Sequence, residues 1–137
     1  MITKKYLNEL TYKIIGAAIE VHKIMGSGLY ESVYHQCMME ELKIRGLNYV
    51  SEMKIPIKYN NIQIISDFRC DLIIEDLIIV ELKATSAFNP AFEAQLINYM
   101  KLTKKPKGIL INFNCSNIFH EGQKTYVNEY FNKLPLE

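Results

Sequence analysis

Leu77-Ile78-Ile79-Val80-Glu81-Leu82-Lys83-Ala84 is an apolar run broken late by two charges. Its first four residues have the pattern of a strand buried on both faces. Glu81 and Lys83 follow at a spacing of two, so on a strand they share one face. Burying a carboxylate and an ammonium is costly unless they pair or bind an ion. The plain alternative is a Glu–Lys ion pair where the strand emerges into solvent. Asp71 lies ten residues before Glu81, between Cys70 and the run Leu72-Ile73-Ile74. Whether the two carboxylates converge depends on register, because a slip of one residue turns a side chain to the other face. A two-residue turn at Glu75-Asp76 sets Cys70 opposite Glu81. A three-residue loop, Glu75-Asp76-Leu77, sets Asp71 there. A metal site on these strands therefore requires an odd-length loop or a bulge.

Working outward, Leu7, Leu10, Ile14, Ile15, Ala18, Ile19, Val21 and Ile24 recur at helical spacing and predict a helix to Met25. Gly26-Ser27-Gly28 breaks it. A second helix is expected from Leu29 to Ile44, with Leu29, Val33, Cys37, Met38 and Leu42 inward and Gly46 beyond its end. Tyr49 to Tyr59 reads as extended, with Pro56 marking an edge or a bulge, and Asn60-Asn61 as a hairpin turn. Strands follow over 62–65, 68–74 and 77–84. Asn89-Pro90 is an N-cap with Pro at the first helical position, opening a helix to about Thr103. Gly108 to Phe113 is a short buried strand. The tail carries a weak strand near Ile118-Phe119 and a short helix over 127–131. The order α-α-β-β-β-α-β describes an α/β (α+β) chain, a mixed sheet with helices on its faces.

The 137 residues, 49% hydrophobic and 23% charged, fit one domain spanning 1–137 with a real core. Lys and Arg total 16 against 15 acids, so no global basic field marks the chain for a polyanion. A polyanion site must then be a local patch or must use a metal ion. Cys37, Cys70 and Cys115 are scattered without a C-x-x-C pair, which argues against disulfides and against a zinc finger. The N-terminus has no signal-like apolar region, and no stretch approaches the roughly 18 apolar residues of a membrane span. A reducing cytoplasm is the expected address.

Two carboxylates held about 5 Å apart on paired strands repel unless a cation lies between them. Oxygen ligands without a His cluster favour Mg²⁺, with Mn²⁺ as substitute. Lys83 would then orient or deprotonate the attacking water, or steady the phosphate. The arrangement reads as metal-assisted phosphodiester hydrolysis.

Asp71 followed by Glu81-Leu82-Lys83 resembles the D…(D/E)-x-K signature of the PD-(D/E)XK nuclease superfamily, with Cys70 where its often-replaced Pro would stand. Gly28-Leu29-Tyr30-Glu31-Ser32-Val33-Tyr34 resembles the G-x-x-E-x-x-Y run of the GxxExxY branch. Gln95-Leu96-Ile97-Asn98-Tyr99 is similar to the Q-x-x-x-Y motif of RecB-like members. The resemblance implies a restriction-endonuclease-like αβββαβ core with an extra N-terminal helix. It also implies catalytic roles for Glu31, Asp71, Glu81, Lys83 and Gln95, with Glu31, Asp71 and Glu81 as metal ligands and Tyr34 and Tyr99 in support. From spacing alone, Glu31 is equally half of a capping box, and Gln95 and Tyr99 a solvated pair on one helix face.

His22 reads as a hydrogen-bonded structural group, and Ser86 and Asn89 as neighbours of the catalytic strand. For the substrate, Lys101, Lys104, Lys105 and Lys107 form a basic run that either contacts a nucleic-acid backbone or simply ends a helix. No base-reading module is present, so low sequence specificity is expected, on DNA rather than RNA. A homodimer gripping a duplex from two sides is compatible with the chain's size. The competing expectation is a non-catalytic nucleic-acid- or protein-binding module that retains the nuclease fold.

Overall fold

The computed structural model describes residues 1–137. Thr3 caps the first helix, α1 (Lys4–Met25), accepting from the Tyr6 amide at 3.0 Å, and Gly26 ends it at φ +72°. Its first-turn amides at Lys4 and Lys5 donate to the carbonyls of Pro135 and Leu136, so the tail completes the helix start. The apolar stripe Leu7, Leu10, Ile14, Ala17, Ala18 and Val21 is buried. Ile19 and Ile24, expected inward, face solvent on the far side of the stripe.

Helix α2 (Glu31–Ile44) buries Tyr34, Met38 and Leu42, one residue per turn. Cys37 packs against the same core from the edge of this face, Val33 is half-buried, and Leu29 lies exposed ahead of the helix. The rotation is set by Tyr34, whose ring stacks on Phe113 at 4.4 Å with planes 4° apart. Neither Ser nor Thr caps this helix, so the capping-box reading of Glu31 does not hold.

Seven strands follow: β1 (Tyr49–Lys54), β2 (Ile57–Tyr59), β3 (Ile62–Ile64), β4 (Arg69–Ile74), β5 (Ile78–Lys83), β6 (Lys107–Asn112) and β7 (Gln123–Val127). β1, β4, β5, β6 and β7 form one sheet in that spatial order, while β2 and β3 form a separate hairpin. β5 and β6 are parallel, joined by the crossover helix α3 (Pro90–Thr103); the other neighbours are antiparallel. Asn89 caps α3 through its side chain, accepting from the Ala91 amide at 2.9 Å. The sequence α2-β1-β4-β5-α3-β6 is the expected αβββαβ core, with the β2–β3 hairpin inserted and α1 ahead of it.

The central strands β5 and β6 are covered on both faces, which explains their unbroken apolar runs. On one face Leu72, Ile74, Ile78, Val80, Leu82, Ile109 and Ile111 meet α1 and α2. On the other, Ile73, Ile79 and Leu110 meet Leu96, Tyr99 and Met100 of α3. The tail departs from its expected form. A π-helical turn occupies Ile118–Gly122, β7 follows at Gln123–Val127, and α4 (Glu129–Asn132) closes the chain. Gly122 allows this reversal: a Cβ there would lie 2.7 Å from Cys115 Sγ and 2.8 Å from the Asn112 carbonyl. No helix is long and apolar enough to cross a membrane.

Candidate active site

The β4–β5 ladder pairs Ile74 with Ile78, Ile73 with Ile79 and Leu72 with Val80. The connecting loop is therefore the three-residue Glu75-Asp76-Leu77, with Glu75 and Asp76 both at positive φ. In this register Asp71 falls opposite Glu81, and there the ladder stops. The strands fork, and the two carboxylates take over the hydrogen bonding. The Asp71 amide donates to Glu81 Oε2 at 2.7 Å, and the Leu82 amide donates to Asp71 Oδ2 at 2.8 Å. Each carboxylate thus uses one oxygen to satisfy the opposite strand. No buried side-chain oxygen at the fork is left without a hydrogen-bond partner.

Glu81 is only 3% exposed, and burial followed by the charge of Asp71 pushes its carboxyl up to about 8. The same fork pushes its neighbours upward. Burial, then Glu81, raises the Cys70 thiol to about 12, and burial with Glu81 and Asp71 raises the Tyr99 phenol. Tyr99 keeps its proton and donates it to the Arg69 carbonyl at 2.6 Å, tying α3 to the start of β4. Gln95, one turn earlier on α3, shares that face and is half-buried.

Lys83 leaves β5 on the α3 side, its ammonium 4.6 Å above the Phe92 ring. Glu31 approaches from α2. Its carboxyl is raised by burial and by Asp71, and held back by Lys83 and then His35. Glu31 therefore feels the fork electrostatically. It does not close with Asp71 and Glu81 into a three-ligand group, because no three His, Cys, Asp or Glu side chains are so arranged. What the fork offers is a pair of hard oxygen donors without sulfur or imidazole, a set suited to Mg²⁺ or Mn²⁺.

The G-x-x-E-x-x-Y spacing has a mechanical reason. Gly28 sits at φ +94°, reversing the chain so that Glu31 enters the first turn of α2. Tyr34 then reaches back, donating from its hydroxyl to the Gly26 carbonyl at 2.6 Å and accepting from the Leu29 amide at 3.2 Å. His22 and Ser27 pin the same turn to the Cys115 carbonyl at 2.9 and 2.8 Å. Tyr34 is fully buried, so its role is to hold the turn that presents Glu31.

The model of the PD-(D/E)XK nuclease superfamily matches residues 8–125. The chain belongs to that superfamily. No curated protein and no solved structure matches it. The mixed five-stranded sheet flanked by helices is the restriction-endonuclease-like fold of that superfamily.

The basic run lies elsewhere. Lys107 pairs with Ile78 at the start of β5, three residues or roughly 10 Å from Glu81 along the sheet. It is 4% exposed, its ammonium donates to Asn8 Oδ1 at 2.8 Å, and burial lowers its pKa. Lys107 is therefore not available as a phosphate contact. Lys105 is taken by Asp76 at 2.8 Å, while Lys101 and Lys104 are exposed at the same distal end. A Pro-containing connection between α3 and β6 turns this run away from the fork. Lys104 itself is the αL cap of the helix.

Two residues at the site had no sequence signal. Asn112, 4% exposed at the end of β6, accepts from the Thr85 and Asn114 amides and donates to the Thr85 carbonyl, fixing the turn that follows Lys83. Its position one residue beyond Ile111 in a buried strand is the only hint the sequence gives. Glu52 faces Asp71 across the β1–β4 register, yet its φ of +52° takes it out of the ladder, which resumes at Met53–Cys70. Such strain is a local feature of the site edge that composition cannot reveal.

Proposed function

We propose that the chain is a Mg²⁺-dependent nuclease that hydrolyses phosphodiester bonds in DNA with low intrinsic sequence specificity. In this reading 1–137 works as one nuclease domain of the GxxExxY branch. The observation that carries it is the β4–β5 fork, where the Asp71 and Glu81 carboxylates converge and Lys83 follows Glu81 on β5. Mg²⁺, or Mn²⁺ in its place, would be held by Asp71 and Glu81 and would supply charge neutralisation at the phosphate and a more acidic water. Lys83 offers its Nζ donors to a phosphate oxygen or to the attacking water. Glu31 orients that water from the α2 side, and Gln95 contributes an amide from α3. Tyr99 and Tyr34 support these groups through Arg69 and through the Gly26–Leu29 turn.

One observation favours a second reading, a binding module that keeps the fold without cutting: Glu31 stands apart from the Asp71–Glu81 pair. Cleavage of labelled single- and double-stranded DNA in Mg²⁺ or Mn²⁺ separates the two. The nuclease reading expects metal-dependent cutting that falls by at least about 100-fold in Glu81→Ala and in Lys83→Ala. Absence of cutting together with absence of any metal effect on the melting temperature overturns it in favour of the module.

A further inference from the structure

The β2–β3 hairpin is explained by neither core. It pairs with no other strand, and an isolated ribbon is at best marginally stable in water. Its Lys58–Gln63 pair presents a polar face, while Tyr59 and Ile62 on the opposite face are 66% and 63% exposed. The ribbon leaves the sheet from the end that carries the fork. β1 ends at Lys54, which pairs with Arg69 at the start of β4, two residues before Asp71.

We propose that this ribbon enters the major groove of a B-form DNA duplex lying across the carboxylate fork, so that the site's substrate is double-stranded DNA. The inference rests on the nuclease reading above and adds the strandedness of its substrate. The dimensions agree. A B-DNA major groove, about 12 Å wide and 8.5 Å deep, admits a two-stranded ribbon. From Ile57 to Tyr59 the strand extends roughly 7 Å, and the Asn60-Asn61 tip adds to that reach. With the tip on the groove floor, the stem reaches the phosphates.

The charge agrees as well. Lys54, Lys58 and Arg69 stand against one acid, Asp67, in the segment 54–69. Asp67 meets Lys54 and Arg69 only at 3.9 and 3.8 Å, and its side chain is 85% exposed. Such pairs are weak and exchange readily for phosphate. Lys58 and Gln63, paired on the polar face, offer an ammonium and an amide to the duplex. An RNA duplex is disfavoured, because its major groove is too narrow for side chains to read. A second copy on the apolar face is disfavoured too. The few side chains of a three-residue strand pair fall short of the roughly 800 Å² per partner of a standard interface.

The test measures anisotropy of a labelled DNA duplex, its single strand and the matching RNA duplex, without divalent metal so that nothing is cut. Wild type is compared with Lys58→Glu/Gln63→Glu and with Lys133→Glu, just past the end of α4. The expected result is a Kd for the DNA duplex raised at least about tenfold in the ribbon variant and unchanged in Lys133→Glu, with the single strand and the RNA duplex bound at least about tenfold more weakly than DNA. In Mg²⁺ the ribbon variant raises KM while kcat stays within about twofold. Unchanged duplex affinity in the ribbon variant, or equal affinity for the single strand, overturns the inference even where the wild type cuts. Duplex binding that depends on Lys58, with neither cutting nor any metal effect on the melting temperature, supports the ribbon and overturns the nuclease reading instead. A dimer in sedimentation that Ile62→Ser dissolves, with duplex binding indifferent to Lys58, overturns it in favour of self-association.

Discussion

At Glu81, burial and the neighbouring Asp71 both favour the protonated carboxyl, while the proposed role of the fork requires the anion. The conflict gives a pH dependence with a definite sign. In the folded chain the group titrates near 8 rather than at its ordinary 4.5, so the folded state holds this proton more tightly. The stabilisation is fully present below about 4.5 and is lost as pH climbs through about 8. In metal-free buffer the melting temperature is expected to fall by about 4 °C or more between pH 5 and pH 8.5, and Glu81→Gln to flatten that slope. Mg²⁺ should reverse the trend, raising the melting temperature more at pH 8.5 than at pH 6, since a ligand must shed its proton to bind. Calorimetric scans over this pH range, with and without the metal, measure both. Glu81 and Lys83 were legible in the sequence because two charges at period two in a buried strand demand a reason. Their meeting with Asp71 hung on one loop residue, which periodicity cannot count. Asn112 and the strained Glu52 were not legible, because each acts through a neighbour distant in sequence.

The elements that present these residues are held by a few hydrogen bonds. The turn before α2 depends on the Tyr34 hydroxyl, bonded to both Gly26 and Leu29. Tyr34→Phe is expected to cost about 1–3 kcal/mol in urea unfolding, because two backbone groups lose a buried partner. It should also lower kcat/KM by loosening the turn that carries Glu31. Asn112→Ala removes three bonds from the turn after β5 and should cost about 2–4 kcal/mol by the same assay. Helix and strand existence followed from the sequence closely, since the Gly26–Gly28 break, the Asn60-Asn61 turn and the Asn89-Pro90 cap all act locally. The inward face of α2 followed only in part: Met38 and Leu42 are buried and Cys37 packs on the core, whereas Tyr34 was not expected there. The face is turned by the Tyr34–Phe113 stack, a contact across most of the chain. Likewise β7 was misplaced because Ile118, apolar enough for a strand, instead plugs the core from a π-helical turn.

Across the whole molecule, charge is divided between the two ends of the sheet. Lys107 is sealed at the end away from the fork, with Asn8 and the Phe131 ring as its neighbours. Lys107→Met should leave DNA affinity unchanged and alter stability by no more than about 1 kcal/mol, or raise it, because the buried cation has no acid partner. Anisotropy and urea unfolding on the one variant check both parts. The layered architecture was readable from element order alone, whereas the sorting of lysines between the two ends needed the path of the α3–β6 connection. The fork also divides the molecule in time. Central amides of β4, β5 and β6 sit in paired strands between two dry cores, so their protons exchange with solvent only when the fold opens. The amide protons of Asp71 and Leu82 are held instead by the Glu81 and Asp71 carboxylates of the fork. Their exchange rates and chemical shifts form a two-position gauge of the site, readable in a catalytically silent sample and blind to whatever substrate the protein meets.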